Sequence, residues 1–120
     1  MPNPTAAALI IGNEVLSGRT ADANLNHLAR RLNDCGITLK ECRVVRDEES
    51  AIILAVNALR MQYNYVFTTG GIGPTHDDIT IPTIAKAFGV AVERNLQVES
   101  KLREYVGARL VPATLRMADF

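Results

Sequence analysis

Net charge is the first thing missing from this 120-residue chain: Lys and Arg together number 13, and Asp and Glu 13, for a formal charge of zero. Without a basic excess there is no electrostatic footprint for a polyanion, so no nucleic-acid partner is expected. Arg30-Arg31 is a basic pair, but it lies in a helical pattern and reads as a solvated face. Long apolar runs are missing too. None approaches the roughly 18 residues of a membrane span, and no signal peptide opens the chain, so no membrane partner is expected. Cysteine is scarce. Cys35 and Cys42 are the only two; with no C-x-x-C and no neighbouring base they read as inert fillers, although spacing alone leaves a disulfide open. A reducing cytoplasm is the simplest compartment. Internal repeats, low-complexity segments and interdomain linkers are also lacking. At this length the chain fits one domain able to bury roughly 65% of its unfolded surface.

What the chain does have is concentrated between Tyr65 and Thr80. Tyr65-Val66-Phe67-Thr68 is an apolar, β-favouring run. It breaks into Gly70, Gly71, Gly73 and Pro74, and passes two adjacent carboxylates, Asp77 and Asp78, before a helix start offered by Thr80 and Pro82. Glycines after a strand let the backbone take φ > 0 and approach a ligand, and a helix start presents free N–H groups to an anion.

The rest of the chain alternates strand and helix. Ala6 to Gly12 is a short continuous apolar run, as in an interior parallel strand, followed by a polar loop from Asn13 to Thr20. A helix begins near Asp22 or Ala23 with Leu25, Leu28, Ala29 and Leu32 on one face, closed by Gly36. Ile37 to Arg46 is a second strand whose alternation fails around Glu41-Cys42. Asp47 stands where an N-cap belongs, ahead of a helix that runs to about Met61 with Ile52, Ala55, Val56 and Leu59 on one face. Tyr63 to Thr68 is the third strand. Beyond the glycine loop come a helix from Pro82 to Phe88 ended by Gly89, a short extended piece at Val90 to Val92, and a helix from Asn95 to about Leu110. That last helix has Val98, Leu102, Tyr105 and Val106 on one face. Pro112 to Phe120 allows an incipient helix. The order argues for βαβ units with right-handed crossovers: an α/β fold, three-layer αβα, with a mostly parallel sheet.

The polar residues cluster after the strands, where open α/β sheets bind ligands. The glycines spell neither G-x-G-x-x-G nor a P-loop, so a purely structural turn is the competing reading. Asp77 and Asp78 are both ionised near neutral pH and call for a cation or for solvent, and Mg²⁺ suits carboxylates beside phosphate. Asp47 is either a cap or a site residue. As a site residue it follows the second strand as Asp78 follows the third, and adjacent parallel strands would bring the two together. Glu14 belongs to the same rim or is a solvated loop charge. His76 donates to a phosphate or faces water, and His27 is a surface or packing residue.

Several stretches resemble one family in collinear order from about Ala8 to Asn95. They are Ile11-Gly12-Asn13-Glu14-Val15-Leu16-Ser17-Gly18-Arg19, Val44-Val45-Arg46-Asp47 and Thr68-Thr69-Gly70-Gly71-Ile72-Gly73-Pro74-Thr75-His76-Asp77-Asp78-Ile79-Thr80. The family is the molybdopterin-binding (molybdenum cofactor biosynthesis) domain family, in the version found at the N-terminus of the competence- and damage-inducible protein A group. The resemblance implies a domain whose glycine loop holds a pterin phosphate or nucleotide. Two aspartates, matching Asp47 and Asp78, support Mg²⁺-dependent adenylyl transfer in some members and metal-dependent cleavage of ADP-ribose in others. It implies catalytic Asp47 and Asp78, and a metal, Mg²⁺ or another divalent ion, held by Asp47, Asp77 and Asp78. It further implies ligand contacts from Thr69, Gly70, Gly71, Gly73, Thr75, Thr80, Asn13 and Glu14, and a homo-oligomer. A non-catalytic binding module is the competing expectation. The family's usual G-D-E is Gly12-Asn13-Glu14 here, which exchanges a carboxylate for an amide. Family members also continue past the position of Phe120, so a shortened domain is expected.

Overall fold

The computed structural model describes residues 3–107 and 110–120. At its centre is β1 (Thr5–Ile11), flanked by β2 (Thr38–Val45) and β3 (Tyr65–Thr69) in the order β2-β1-β3, with both pairings parallel. The central position explains the continuous apolar run, because a strand covered on both faces needs no polar alternation. From Ala6 to Ile11 no residue is more than 4% exposed.

Alternation of side chains divides β1 between two layers. Ala7, Leu9 and Ile11 pack with Ile52, Ala55, Val56 and Leu59 of α3 (Glu49–Gln62) in the main core. Ile84 and Ala87 of α4 (Thr80–Phe88) pack against the same cluster, beside α3. Chain direction dictates the other layer. The connection from β1 to β2 and that from β2 to β3 run in opposite senses across the sheet, and right-handed crossovers then put their helices on opposite faces. The first carries α2 (Asn24–Asp34), which lies on β2 and buries Leu32. The three-layer α/β architecture is therefore as expected.

Several local features differ from the sequence expectations or explain them. The loop after β1 contains a single helical turn, α1 (Asn13–Leu16). In β2 the alternation fails because the register shifts: Ala6 pairs with Leu39 but Ala7 with Glu41, a bulge at Lys40. Glu41 beside that bulge accepts from Arg43 Nε at 2.5 Å and from the Tyr63 hydroxyl at 2.8 Å, which is how a charged side chain is tolerated mid-strand. Val90 to Val92 forms no strand, and pairing there is reduced to an antiparallel bridge between Arg94 and Asp119. The following helix, α5 (Leu96–Val106), is capped by the Asn95 side chain accepting from the Val98 N–H at 3.0 Å and has Gly107 as its C-cap; residues 108 and 109 of the expected extension to about Leu110 lie outside the described residues. Tyr105 was expected on its apolar face but is 85% exposed, because only Val98, Leu102 and Val106 turn inward. The chain then forms the helix foreseen after Pro112, α6 (Pro112–Leu115), and a 3-10 turn at Arg116–Ala118. No helix among the described residues is long and apolar enough to cross a membrane.

Leu9 is fully buried while Leu54 is 74% exposed. Leu9→Ala should lower unfolding free energy by about 2–5 kcal/mol and Leu54→Ala by less than about 0.5 kcal/mol in denaturant titrations. Similar losses in both would contradict this placement of the core.

Candidate functional site

The carboxyl ends of the three strands open on one edge of the sheet, and the glycine loop is built against the end of the central strand. Gly70 has φ 93, and a Cβ there would come within 2.0 Å of the Ile11 carbonyl oxygen. Only glycine permits that approach. Gly71 has φ 65, and a Cβ on it would meet Thr80 Oγ1 at 2.3 Å and Asp47 Oδ1 at 3.3 Å. Thr80 is fully buried. Its hydroxyl donates to the Gly70 carbonyl at 2.8 Å and its N–H to the Gly71 carbonyl at 3.1 Å, so it holds the loop from behind. Helix α4 accordingly starts at Thr80, two residues before Pro82.

The second half of the loop is closed by Asp78. Its Oδ2 accepts from the Thr75 hydroxyl at 2.7 Å and from the Thr75 N–H at 3.0 Å. The Thr75 hydroxyl above all, then the Thr75 and Gly73 N–H groups, hold the Asp78 carboxyl below the usual aspartate range against an opposing desolvation. A Cβ on Gly73 would lie 2.7 Å from Asp78 Oδ2 and would displace that carboxylate. Asp78 and Thr75 are thus engaged with each other as a loop clamp. Asp77 points outward with His76, whose Nε2 is 3.2 Å from Asp77 Oδ1; both side chains are more than four-fifths exposed.

Asp47 is not the N-cap of α3. Glu48 holds that position, without a side-chain capping bond. The Asp47 N–H instead donates to Asn13 Oδ1 at 3.1 Å, tying the end of β2 to that of β1. The amide at position 13 therefore joins two walls of the rim. Asp47 Oδ1 is buried and has no hydrogen-bond partner, the one such side-chain atom among the described residues. A buried carboxylate oxygen in that state is costly unless a cation or donor meets it.

Two cavities flank the loop. One, of about 590 Å³, is polar and is lined by Asn13, Glu14, Asp47, His76 and Asp77, together with Ser17 and Arg19. The other, of about 400 Å³, lies between Gly71, Gly73 and Asp78 on one side and Arg116 to Phe120 on the other. Asp47 and Asp78 therefore open on different cavities. The expected adjacency of their strands is corrected by the topology, since β1 separates β2 from β3. Thr69, half-buried, ends β3 and is paired to Ile10.

The carboxylates offer a limited fit to a divalent ion. Glu14, Asp47 and Asp77 share the polar cavity, but no three His, Cys, Asp or Glu side chains among the described residues converge as a ready-made cage. Mg²⁺ does not require one, because it binds through one or two carboxylates, waters and phosphate oxygens. The orphaned Asp47 oxygen is the group most suited to meet it.

The sequence reading overlooked Arg116, whose Nη2 donates to the Pro74 carbonyl at 3.1 Å. No local pattern marks it, and the contact spans 42 positions. Arg19 and Ser17 were visible only as part of the first loop.

A glycine-rich loop at the carboxyl ends of the strands of a parallel sheet stands where open α/β domains bind their ligands. A family model described as "Probable molybdopterin binding domain" matches residues 7–118, and the chain belongs to that family. A probable FAD synthase of Caenorhabditis elegans is 39% identical over 108 residues, 90% of this chain and 20% of that protein. The probable FAD synthase of Caenorhabditis briggsae is 46% identical over 84 residues, 70% of this chain and 16% of that protein. The chain thus spans a fifth or less of either relative. The solved structure of the protein CinA, of unknown function, from Thermoplasma acidophilum superposes with a TM-score of 0.87 at 29% identity, covering 100% of this chain and 72% of that one. Tungsten cofactor synthesizing protein MoaB from Pyrococcus furiosus shares the fold, with a TM-score of 0.66 at 19% identity over 96% of this chain and 69% of that one.

Two outcomes test the loop geometry. Gly70→Ala should lower stability by at least about 1–3 kcal/mol, because strain at positive φ adds to the clash with Ile11; an unchanged denaturation midpoint would refute the close approach. For Asp78 the folded pKa lies below the unfolded one, so its stabilisation is full above the ordinary carboxylate value of about 4 and is lost as pH falls toward the lowered value. The melting-temperature gap between wild type and Asp78→Ala should therefore narrow from pH 6 to pH 3. A constant gap would remove the clamp.

Proposed function

We propose that this domain binds the phosphate of a nucleotide or pterin phosphate together with a divalent metal, and that it hydrolyses a pyrophosphate of the ADP-ribose type. The observation that carries the reading is the buried, unpartnered Asp47 Oδ1 beside the glycine loop. In this reading Asp47, with Asp77 or Glu14 from the same cavity, would hold Mg²⁺. When bound, that ion would supply charge neutralisation for a diphosphate. The chain's own contribution is placement. Gly71 and Ile72 have no protein acceptor for their N–H groups among the described residues, so these can turn to phosphate oxygens. Thr80 and Asp78 keep the loop in that shape, Thr80 from behind and Asp78 from within. Arg19, which lines the same cavity, adds a cation to a site otherwise rich in carboxylates. Similarity to proteins named probable FAD synthase supports a ligand of nucleotide chemistry.

A non-catalytic carrier of molybdopterin or nucleotide is the second reading. The description of the matching family, a probable molybdopterin binding domain, favours it. Adenylyl transfer to molybdopterin would use the same loop. ADP-ribose hydrolysis measured with Mg²⁺ separates them. Wild type should turn over, chelation should abolish it, and Asp47→Ala should lose about tenfold or more. Binding without turnover would leave the carrier, and equal rates in wild type and Asp47→Ala would overturn the role of Asp47. Self-association belongs to the same proposal: β3 is an edge strand of the described sheet, and such edges pair. Sedimentation should show a species larger than one chain; a monomer at all concentrations would refute it.

A further inference from the structure

Among the residues that line the polar cavity, Arg19 is the only Lys or Arg, and the backbone that carries it is closely specified. Helix α1 ends at Leu16, and the chain reverses through Gly18, which has φ 80. The Gly18 N–H donates to the Val15 carbonyl at 3.3 Å, and the Arg19 N–H donates to the Glu14 carbonyl at 2.9 Å. Those two bonds around a left-handed glycine are the Schellman closure of a helix C-terminus. The Thr20 N–H adds a second donor to the Glu14 carbonyl at 3.1 Å. Arg19 is thus fixed by its backbone just beyond the end of β1.

Its guanidinium, in contrast, is unengaged. Among the described residues it forms no hydrogen bond and no ion pair, although Glu14, Asp47 and Asp77 line the same cavity. Each of these carboxylates is placed elsewhere. Glu14 folds back over Gly12, where a Cβ would meet its Oε1 at 2.6 Å. Asp77 Oδ1 lies 3.2 Å from His76 Nε2. Asp47 keeps Oδ1 buried beside the glycine loop, 3.3 Å from where a Cβ on Gly71 would stand. A guanidinium presents a planar fork of N–H donors that matches the oxygens of a phosphate. With no acceptor from the protein, this one is available to an anionic group of the ligand. Asp47 both lines the cavity and borders Gly71, so an anion at Arg19 and a phosphate on the Gly71 and Ile72 N–H groups occupy neighbouring positions. The simplest ligand with two anionic groups so close together is a diphosphate.

We infer that Arg19 is the specificity-determining residue that holds the second phosphate of a diphosphate ligand, so that the site takes nucleoside diphosphates and their esters in preference to phosphomonoesters. The inference rests on the phosphate reading of the glycine loop. It narrows that reading, because a ligand with a single phosphate, a pterin monophosphate included, leaves Arg19 without its partner. A charge-assisted, forked contact of this kind changes affinity by about tenfold or more.

Calorimetric titration with ADP and with AMP, both in the presence of Mg²⁺, tests it. Wild type should bind ADP about tenfold or more tightly than AMP. Arg19→Gln should lower the affinity for ADP to near that for AMP and leave AMP unchanged. The side chain is exposed and the closure of α1 uses only its backbone, so the variant keeps the fold, which thermal melting checks. Arg31→Gln, at an exposed position of α2, removes the same charge and should alter neither affinity. Equal affinity of wild type for the two nucleotides, an unchanged ADP affinity in Arg19→Gln, or an equal loss for both nucleotides overturns the role of Arg19 and leaves the phosphate reading standing. An equal effect of Arg31→Gln overturns it too, by assigning the preference to net charge. Absence of binding of either nucleotide to wild type overturns the phosphate reading and the role of Arg19 together.

Discussion

The contact between Gly70 and the carbonyl of Ile11 is the constraint on which the rest of the site depends. A Cβ at Gly70 would stand 2.0 Å from that oxygen, so the loop can rest on the end of β1 only through bare backbone. Resting there brings Gly71 under Thr80 and beside Asp47, which converts three separate strand ends into one rim. The support beneath is equally demanding. Strand β1 is covered on both faces, with Leu9 and Ile11 packed against Ile52 and Leu59, and any shift of the strand would move the carbonyl that the loop is fitted to.

Charge is distributed around this loop in a way that separates two tasks. Asp78 accepts through Oδ2 from Thr75, whose hydroxyl and N–H lower its pKa and close the loop. Asp47 is left with a buried oxygen that nothing in the protein satisfies. Two aspartates that look equivalent in sequence therefore differ in what remains available to a ligand. The distinction lies in the donors each oxygen has: Asp78 Oδ2 already accepts from Thr75, whereas Asp47 Oδ1 has no partner in the protein. Asn13 fits the same picture, since its amide oxygen is occupied by the Asp47 N–H.

Much of this was legible beforehand because the signals were local. A continuous apolar run at Ala6 to Ile11 reports a strand buried on both sides, and helical spacing of Ile52, Ala55, Val56 and Leu59 reports the face that covers it. Glycines at 70, 71 and 73 followed by Asp78 mark a loop with enforced geometry. Misreadings arose where a residue's neighbour was distant in sequence. Asp47 resembles an N-cap locally, yet its backbone is taken by Asn13, 34 positions earlier. Nor does any local pattern reveal that Thr80 is fully buried with its hydroxyl donating to the Gly70 carbonyl. Tyr105 follows the helical period but has nothing to pack on.

Local chemistry in the sequence determined the alternating elements, the α/β class and the glycine loop, because hydrophobic period, turn residues and backbone permissiveness act over a few positions. Strand order was decided in the tertiary structure. Placing β1 between β2 and β3 put Asp47 and Asp78 on different cavities, a result no spacing rule contains. The same holds for Arg116, whose hydrogen bond to Pro74 closes a wall from the far end of the chain. Such contacts are chosen by packing of whole elements, and only the folded chain brings their partners within reach.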